Sequence, residues 1–479
     1  MRAGTVRRYS SLHSYALLAC VTASVGIACS TSVVEDPEAD GLRLGERKIV
    51  GEAKAYPADL SLRARDSELR GSMAKRRQVA WDAVARVLQP VKGTAIAKTS
   101  TGAVEKKSIE LPAFRTWYGR DDYERLFGKL YGEMGGTRRR ARTPFSAAEI
   151  AAAIKWNATS GGSWAEEDYL ARIRKLTDAA SVQGLGGNGR VSYSPGYVTH
   201  FLNNYSAVYN CIPKLPSITE TTPPPSPTNF SQCYNAEFPA DAAVMKASWW
   251  RVGPDLGLPV VDTSAAALKA KLAGTSAKGA WDIDSRPQQK PDASKVYTVK
   301  MTDGTSWRLP GIHFITKELR DWMWITLWWS PNPNEDFGAD RPDKIKALGG
   351  PWANYKMCVV TAYDEGDADP RGGFAGTLGD SLAATHAGVG GPTWCSNPFI
   401  EKGDNNAQTN CIGCHQHAGD TKVNLQDIIS NNAKHPFSGR TKERQSFPTD
   451  YSWSFDHSPE AFAMSIQAQI QNYDASDPQ

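Results

Sequence analysis

The sequence predicts an α+β fold, from three changes of pattern along its 479 residues. Residues 58–190 carry apolar side chains at helical spacing, residues 191–370 turn to the alternation of strands, and residues 371–479 are rich in Gly, Asn, Asp and Pro. A helix returns a side chain to the same face about every 3.6 residues and a strand every second residue, so the first two stretches select different local structure. The third is loop-heavy.

In the helical region, Ala80, Trp81, Val84, Val87 and Leu88 form one stripe that stops at Pro90. Tyr123, Leu126, Phe127, Leu130, Tyr131 and Met134 form a second that stops at Gly135-Gly136. Ser146 with Glu149, and Ser163 with Glu166, have the spacing of capping boxes, in which the serine oxygen accepts from a backbone N–H at the helix start. Pro223-Pro224-Pro225 reads as a polyproline II linker or surface loop within the β-rich region. Beyond it, stretches 296–301 and 306–309 flank Asp303-Gly304, a favoured hairpin turn pair. Stretches 312–317 and 322–329 follow as strands. The latter sets Trp322, Trp324, Thr326 and Trp328 on one face and Met323, Ile325, Leu327 and Trp329 on the other, a pattern that requires burial on both sides. A last helix is expected near the C-terminus, with Ser458 as cap, Pro459 in the first turn and Phe462, Ile466 and Ile470 as its stripe.

At the N-terminus, Arg2, Arg7 and Arg8 precede a mostly apolar run over 16–28. The run has signal-peptide length and falls short of the ~20 residues a spanning helix needs. It ends in Gly26-Ile27-Ala28-Cys29, which resembles the lipobox of bacterial lipoproteins. Residues 1–28 are therefore expected to be a signal, Cys29 to carry lipid, and the polar stretch 29–57 to tether the remainder. Leu17-Leu18-Ala19-Cys20 is a competing site, but cleavage there would leave the apolar stretch 21–28 on the mature chain. Ser30 favours sorting to the periplasmic side of the outer membrane, with the extracellular face as the alternative. Lys and Arg total 55 against 51 Asp and Glu, a balance without a nucleic-acid footprint. The local cluster Arg138-Arg139-Arg140 with Arg142 suits either an acidic redox partner or a solvated loop.

The residues Cys411-Ile412-Gly413-Cys414-His415 have the C-x-x-C-H form of a c-type haem attachment site. Two thiols add across the haem vinyl groups, and the imidazole that follows binds the iron. With eight Cys and eight His in the chain, an accidental match is rare. Cysteine usage agrees: Cys20 leaves with the signal, Cys29 takes lipid, Cys411 and Cys414 take haem, and Cys211, Cys233, Cys358 and Cys395 remain as an even set for an oxidising compartment. Proximity favours Cys211–Cys233 and Cys358–Cys395, each contributing about 3–4 kcal/mol in the chain-entropy picture, while other pairings stay open. The rival readings are a buried cysteine pair beside an incidental histidine, and zinc held by Cys411, Cys414, His415 and His417. Zinc sites usually join two ligand pairs across a loop, whereas these four crowd into one short stretch.

The chemistry then turns on the iron's other face. A Met or His ligand there gives a closed electron carrier, and an open face permits peroxidase-like chemistry. His313 is the candidate sixth ligand, because it sits in the predicted strand Ile312-His313-Phe314-Ile315, where a buried imidazole needs a partner. Met464 is the weaker candidate, since it points away from the Phe462–Ile466 stripe of its helix. His200, His386, His435 and His457 rank below, and His417 lies too close to His415. Trp322, Trp324 and Trp328 could line a haem edge, although core packing is the ordinary role of such residues.

Phe238-Pro239, Met245-Lys246-Ala247-Ser248-Trp249, Leu309-Pro310-Gly311-Ile312-His313 with Lys317, and Trp322-Met323-Trp324-Ile325-Thr326, followed by the single C-x-x-C-H, resemble a family of exported bacterial cytochrome-c-like proteins. The likeness covers about residues 190–460 and rests on the order of the motifs. Where that family carries an acidic residue and a second His after the Thr, this chain has Leu327-Trp328-Trp329-Ser330, which removes one possible ligand. The resemblance implies haem binding and electron transfer and imports no catalytic activity. The expectation is a monohaem c-type cytochrome lipoprotein with one covalent haem c, passing single electrons to a redox partner protein. Its alternatives are a haem peroxidase or oxidase-like enzyme with an open sixth site, and a partner-binding lipoprotein whose haem is structural.

Overall fold

The computed structural model describes residues 47–455, apart from 71, 128, 131–144, 160–188, 217–231, 235, 254–255, 264–287, 302–303, 362–394, 396, 402–410 and scattered positions between 421 and 446. The signal with Cys20, residues 29–46 of the tether with Cys29, the arginine cluster, the second capping box, the proline run, Asp303, His386, His435, His457, Met464 and the terminal helix lie outside the described residues. Among the described residues, no helix is long and apolar enough to cross a membrane.

Helices and antiparallel sheets together give the expected α+β architecture. Strands β1 (Arg47–Val50), β2 (Pro90–Lys98) and β3 (Val104–Pro112) form a small sheet. The main sheet runs β12-β11-β10-β6-β5-β4, with β9 alongside β10. Its members are β4 (Tyr118–Gly119), β5 (Gly189–Tyr193), β6 (Ala243–Arg251), β9 (Thr298–Lys300), β10 (Ser306–Thr316), β11 (Met323–Trp329) and β12 (Tyr355–Val360), while β7 (Leu258–Pro259) and β8 (Gln288–Gln289) pair separately. Helices are α1 (Asp66–Arg70), α2 (Met73–Leu88), α3 (Arg120–Phe127), α4 (Ala147–Thr159), α5 (Pro195–Cys211), α6 (Asp343–Ala347) and α7 (Cys411–His415).

The sequence explains most of these boundaries. The Ser72 side chain accepts from the Lys75 N–H at 3.3 Å to start α2, which buries Val79, Ala80, Trp81, Ala83, Val84, Val87 and Leu88 and ends before Pro90. At α4 the capping box forms, with Glu149 accepting from the Ser146 N–H at 2.8 Å and Ser146 Oγ accepting from the Glu149 N–H at 3.3 Å. The stretch expected as a tether is structured at its end: β1 pairs with β2, and Tyr56 is buried with its hydroxyl donating to Glu318 at 2.6 Å, long-range contacts that its polar composition does not reveal. Further departures from the regional pattern are a helix and a hairpin. Helix α5 opens the strand-rich region, capped by Ser194 with Pro195 in its first turn and burying Tyr197, Val198, Phe201, Leu202, Tyr205 and Val208. The β2–β3 hairpin lies inside the helical region, because most of β3 faces solvent and its few apolar contacts, Ile49, Leu111, Val91 and Ile109, leave no periodic signal. β10 fuses two expected strands. Its register with β6 shifts between Arg308 and Gly311, where Pro310 has no N–H to donate.

β11 is buried along its whole length, as its two apolar faces require. Register places Lys246, His313, Thr326 and Cys358 side by side on one face, and Met245, Phe314, Ile325 and Val359 on the other. The second face meets the N-terminal elements, where Phe114 packs 5.7 Å from Phe314 between ring centroids and α2 lies against β12. Arg77 of α2 crosses to the β12 side, donating to the Met357 carbonyl at 2.7 Å and pairing with Asp340 at 2.5 Å. Burial alone would raise the Asp340 carboxyl, but the charge and hydrogen bonds of Arg77, with a bond from Trp81, hold it below its ordinary range. The first face receives the C-terminal segment.

Two predictions follow from this packing. Asp340→Ala strands the buried Arg77 guanidinium and should cost about 3–5 kcal/mol, seen as a lower urea midpoint at unchanged slope. His200, whose ring lies 5.2 Å from Tyr234 and 4.3 Å from Phe238, is lowered to about 4 by burial, with Lys317 adding to the effect and Asp450 opposing it. Between pH ~6.5 and about 4 the unfolded chain binds a proton that the folded chain refuses, so acidification through that window removes stability. His200→Phe should flatten this slope by up to about 3 kcal/mol in urea titrations across the same pH range.

Candidate haem-attachment site

Helix α7 is a single turn that holds the whole motif, with Cys411, Ile412, Gly413 and Cys414 buried. Cys211–Cys233 and Cys358–Cys395 are disulfides with Cα separations of 5.5 and 5.9 Å, whereas Cys411 and Cys414 remain thiols. Burial pushes the Cys411 thiol well above its usual range, with Glu401 and Cys414 adding to the shift, so it is held in the protonated form.

His415 is oriented from outside the motif. Its Nδ1 lies 2.9 Å from the Tyr451 carbonyl oxygen, and its ring centroid lies 4.7 Å from that of Trp324. A carbonyl can only accept, so in the neutral ring Nδ1 carries the proton and Nε2 presents the lone pair. The ring is neutral because burial lowers it to about 4; Lys246 and His313 lower it further, while the Tyr451 bond and Glu401 act oppositely. A histidine that ligates a metal commonly donates its other N–H to a carbonyl or carboxylate in this way.

The C-terminal segment is clamped on the sheet by Asn397. Its Nδ2 donates to Thr326 Oγ1 and to the Leu327 carbonyl, both at 2.8 Å, and its Oδ1 accepts from the Phe399 N–H at 2.9 Å. Ser248 Oγ donates to the Phe399 carbonyl at 3.1 Å. Gly311 is required beneath, since a Cβ there would stand 2.8 Å from Phe399 Cβ and 2.9 Å from Asn397 Oδ1. The disulfide Cys358–Cys395 ties the same segment to β12.

His313 projects from the same sheet face, 6 % exposed, with Nε2 3.1 Å from Glu401 Oε1, an ion-pair approach off the hydrogen-bond axis. Burial would raise the Glu401 carboxyl, but His313, Lys246 and the Asn397 N–H hold it below its ordinary range. The motif and His313 therefore share one face of the sheet, with Glu401 at the His313 ring. Of the three tryptophans considered for a haem edge, Trp324 meets His415, Trp328 packs on Phe337, and Trp322 packs on Phe238.

The donor set fits a c-type haem on three counts: two adjacent thiols, a neutral imidazole with its Nε2 lone pair selected, and an aromatic wall at Trp324. Among the described residues no group of three or more His, Cys, Asp or Glu side chains converges as a metal cage. A cavity of about 770 Å³ lined by Tyr118, Ile150, Ile154 and Lys155 lies elsewhere and includes no motif residue. Asn397, Glu401, Asp450 and Tyr451 are site residues with no motif around them, and Tyr451 acts through its backbone. Nothing in their local sequence marks them. No family model, no curated protein and no solved structure matches this chain.

Asn397→Ala removes two clamping donors and one acceptor from buried partners and should cost about 1–3 kcal/mol locally. Hydrogen exchange should show faster opening of residues 397–401, with α2 unchanged.

Proposed function

We propose that this chain is a monohaem c-type cytochrome that passes single electrons in the cell envelope, carrying one haem bound through Cys411, Cys414 and His415. The observation that carries the reading is the Tyr451 carbonyl on His415 Nδ1, which selects Nε2 as the lone-pair nitrogen beside two thiols. Haem, once bound, supplies reversible one-electron chemistry at iron. The protein's own part is to exclude water with Trp324, Ile412 and Phe399, to keep the His415 ring neutral and oriented, and to offer His313 from the sheet as a sixth ligand. The proposed setting is the periplasmic side of the outer membrane, with Cys29 as lipid anchor and a redox protein as partner.

A second reading is favoured by Glu401. With its carboxylate 3.1 Å from His313 Nε2, the pair could serve as an acid–base couple beside an open sixth position, as a peroxidase-like or oxidase-like enzyme requires. One set of measurements divides the readings. A pyridine haemochrome spectrum should report covalent haem in the exported protein, lost in Cys411→Ser/Cys414→Ser; no covalent haem in the wild type would end both readings. A low-spin ferric spectrum indifferent to cyanide, converted to high spin by His313→Ala and unaffected by Met464→Leu, is expected of the electron carrier. A high-spin wild type that binds cyanide and reacts with peroxide would support the enzyme instead.

A further inference from the structure

A buried ion pair stands immediately behind the carbonyl that holds His415. Lys317 and Asp450 are both fully buried, with Nζ 2.8 Å from Oδ1. Asp450 also accepts from Trp322 Nε1 at 3.0 Å, and its second oxygen lies 3.4 Å from the Phe238 N–H. Asp450 and Tyr451 have φ of 47° and 67°, two successive non-glycine residues in the left-handed region. Such a conformation persists only where surrounding contacts over-determine it. Here they do: the Pro448 carbonyl accepts from the Cys233 N–H at 3.1 Å, Ser452 Oγ shares a 2.7 Å hydrogen bond with Tyr197, and the Tyr451 ring stacks on Phe447 at 4.3 Å. The turn aims the Tyr451 carbonyl at Nδ1 of His415.

We infer that Lys317 and Asp450 are positioning residues for His415, acting through the Tyr451 carbonyl to fix the tautomer and donor strength of the proposed iron ligand. The inference rests on the haem reading above. Their influence on the ring runs through the turn at residues 450–451. A firm Nδ1–H···O=C bond makes the imidazole a stronger donor to iron, which stabilises the ferric form and lowers the midpoint potential. Loosening the turn weakens that bond and raises the potential.

Removing a buried negative charge would raise the potential by itself, so the test needs a readout of the ring. Covalent haem is first confirmed in the exported wild type by pyridine haemochrome. In haem-bearing Asp450→Asn, we expect an upward shift of the midpoint potential together with displacement of the His415 ring proton resonances in the NMR spectrum. Gly419→Ala is the second variant, usable if Asp450→Asn does not fold. Gly419 has φ +84°, strained for an alanine, and a Cβ there would stand 2.6 Å from Thr449 Cγ2, so the packing between the turn and the residues that follow the motif is disturbed without any change of charge. The same two shifts are expected. A potential that rises in Asp450→Asn while the His415 resonances stay fixed would reduce the pair to a charge effect and overturn the positioning role. Unchanged potential and resonances in Gly419→Ala would overturn it equally. A wild type without covalent haem would overturn the haem reading and this inference together.

Discussion

Burial of the central strands on both faces is the constraint from which the architecture follows. β10 and β11 carry apolar side chains in both directions, so neither face can be left to water, and each must be covered by chain from elsewhere in the sequence. The N-terminal elements cover one face through Phe114 and α2, and the C-terminal segment covers the other through Asn397, Phe399 and α7. Residues 397–401 and α7, described parts of the motif-bearing segment, are seated on the sheet through Asn397, Phe399 and His415.

Charged groups buried within this stack act as registers between layers. Arg77 with Asp340 fixes α2 against the β12 side, Arg86 with Glu318 links α2 to the end of β10, and Lys317 with Asp450 joins the end of β10 to the loop over α7. Such pairs bring little net stability over well-packed apolar residues, yet breaking one is costly, which makes them efficient at enforcing a single arrangement. All three act at the boundary between sheet and covering layer. Each specifies position where apolar contact alone would tolerate sliding.

How much of this was legible in the sequence depends on the range of the interactions involved. The stripe of α2, the Ser146–Glu149 cap and the two-faced strand through Trp324 could be read directly, because helical and strand periods and caps are local. The mostly exposed β2–β3 hairpin has no apolar alternation to read, whereas α5 does carry a helix signature in Ser194-Pro195 and its spaced tyrosines, set within an otherwise strand-rich region. At the site, the motif and the candidate His313 were legible as residue types. The partners of both were not: Glu401 and the Tyr451 carbonyl reach them across long stretches of chain, and a backbone oxygen leaves no trace in side-chain identity.

The Cys358–Cys395 bond constrains the order in which the cysteines of this chain can pair. It ties the edge strand β12 to the very segment that bears two further thiols, Cys411 and Cys414, separated by only two residues and prone to oxidise with one another. Formation of the native bond is therefore a contest between partners: Cys395 must find Cys358 rather than Cys411 or Cys414, and on the proposed haem reading those two thiols must also stay reduced. Seating of residues 397–401 on β10 and β11 brings Cys395 beside its strand partner. The same fold then separates the cysteines that pair from the two that remain thiols.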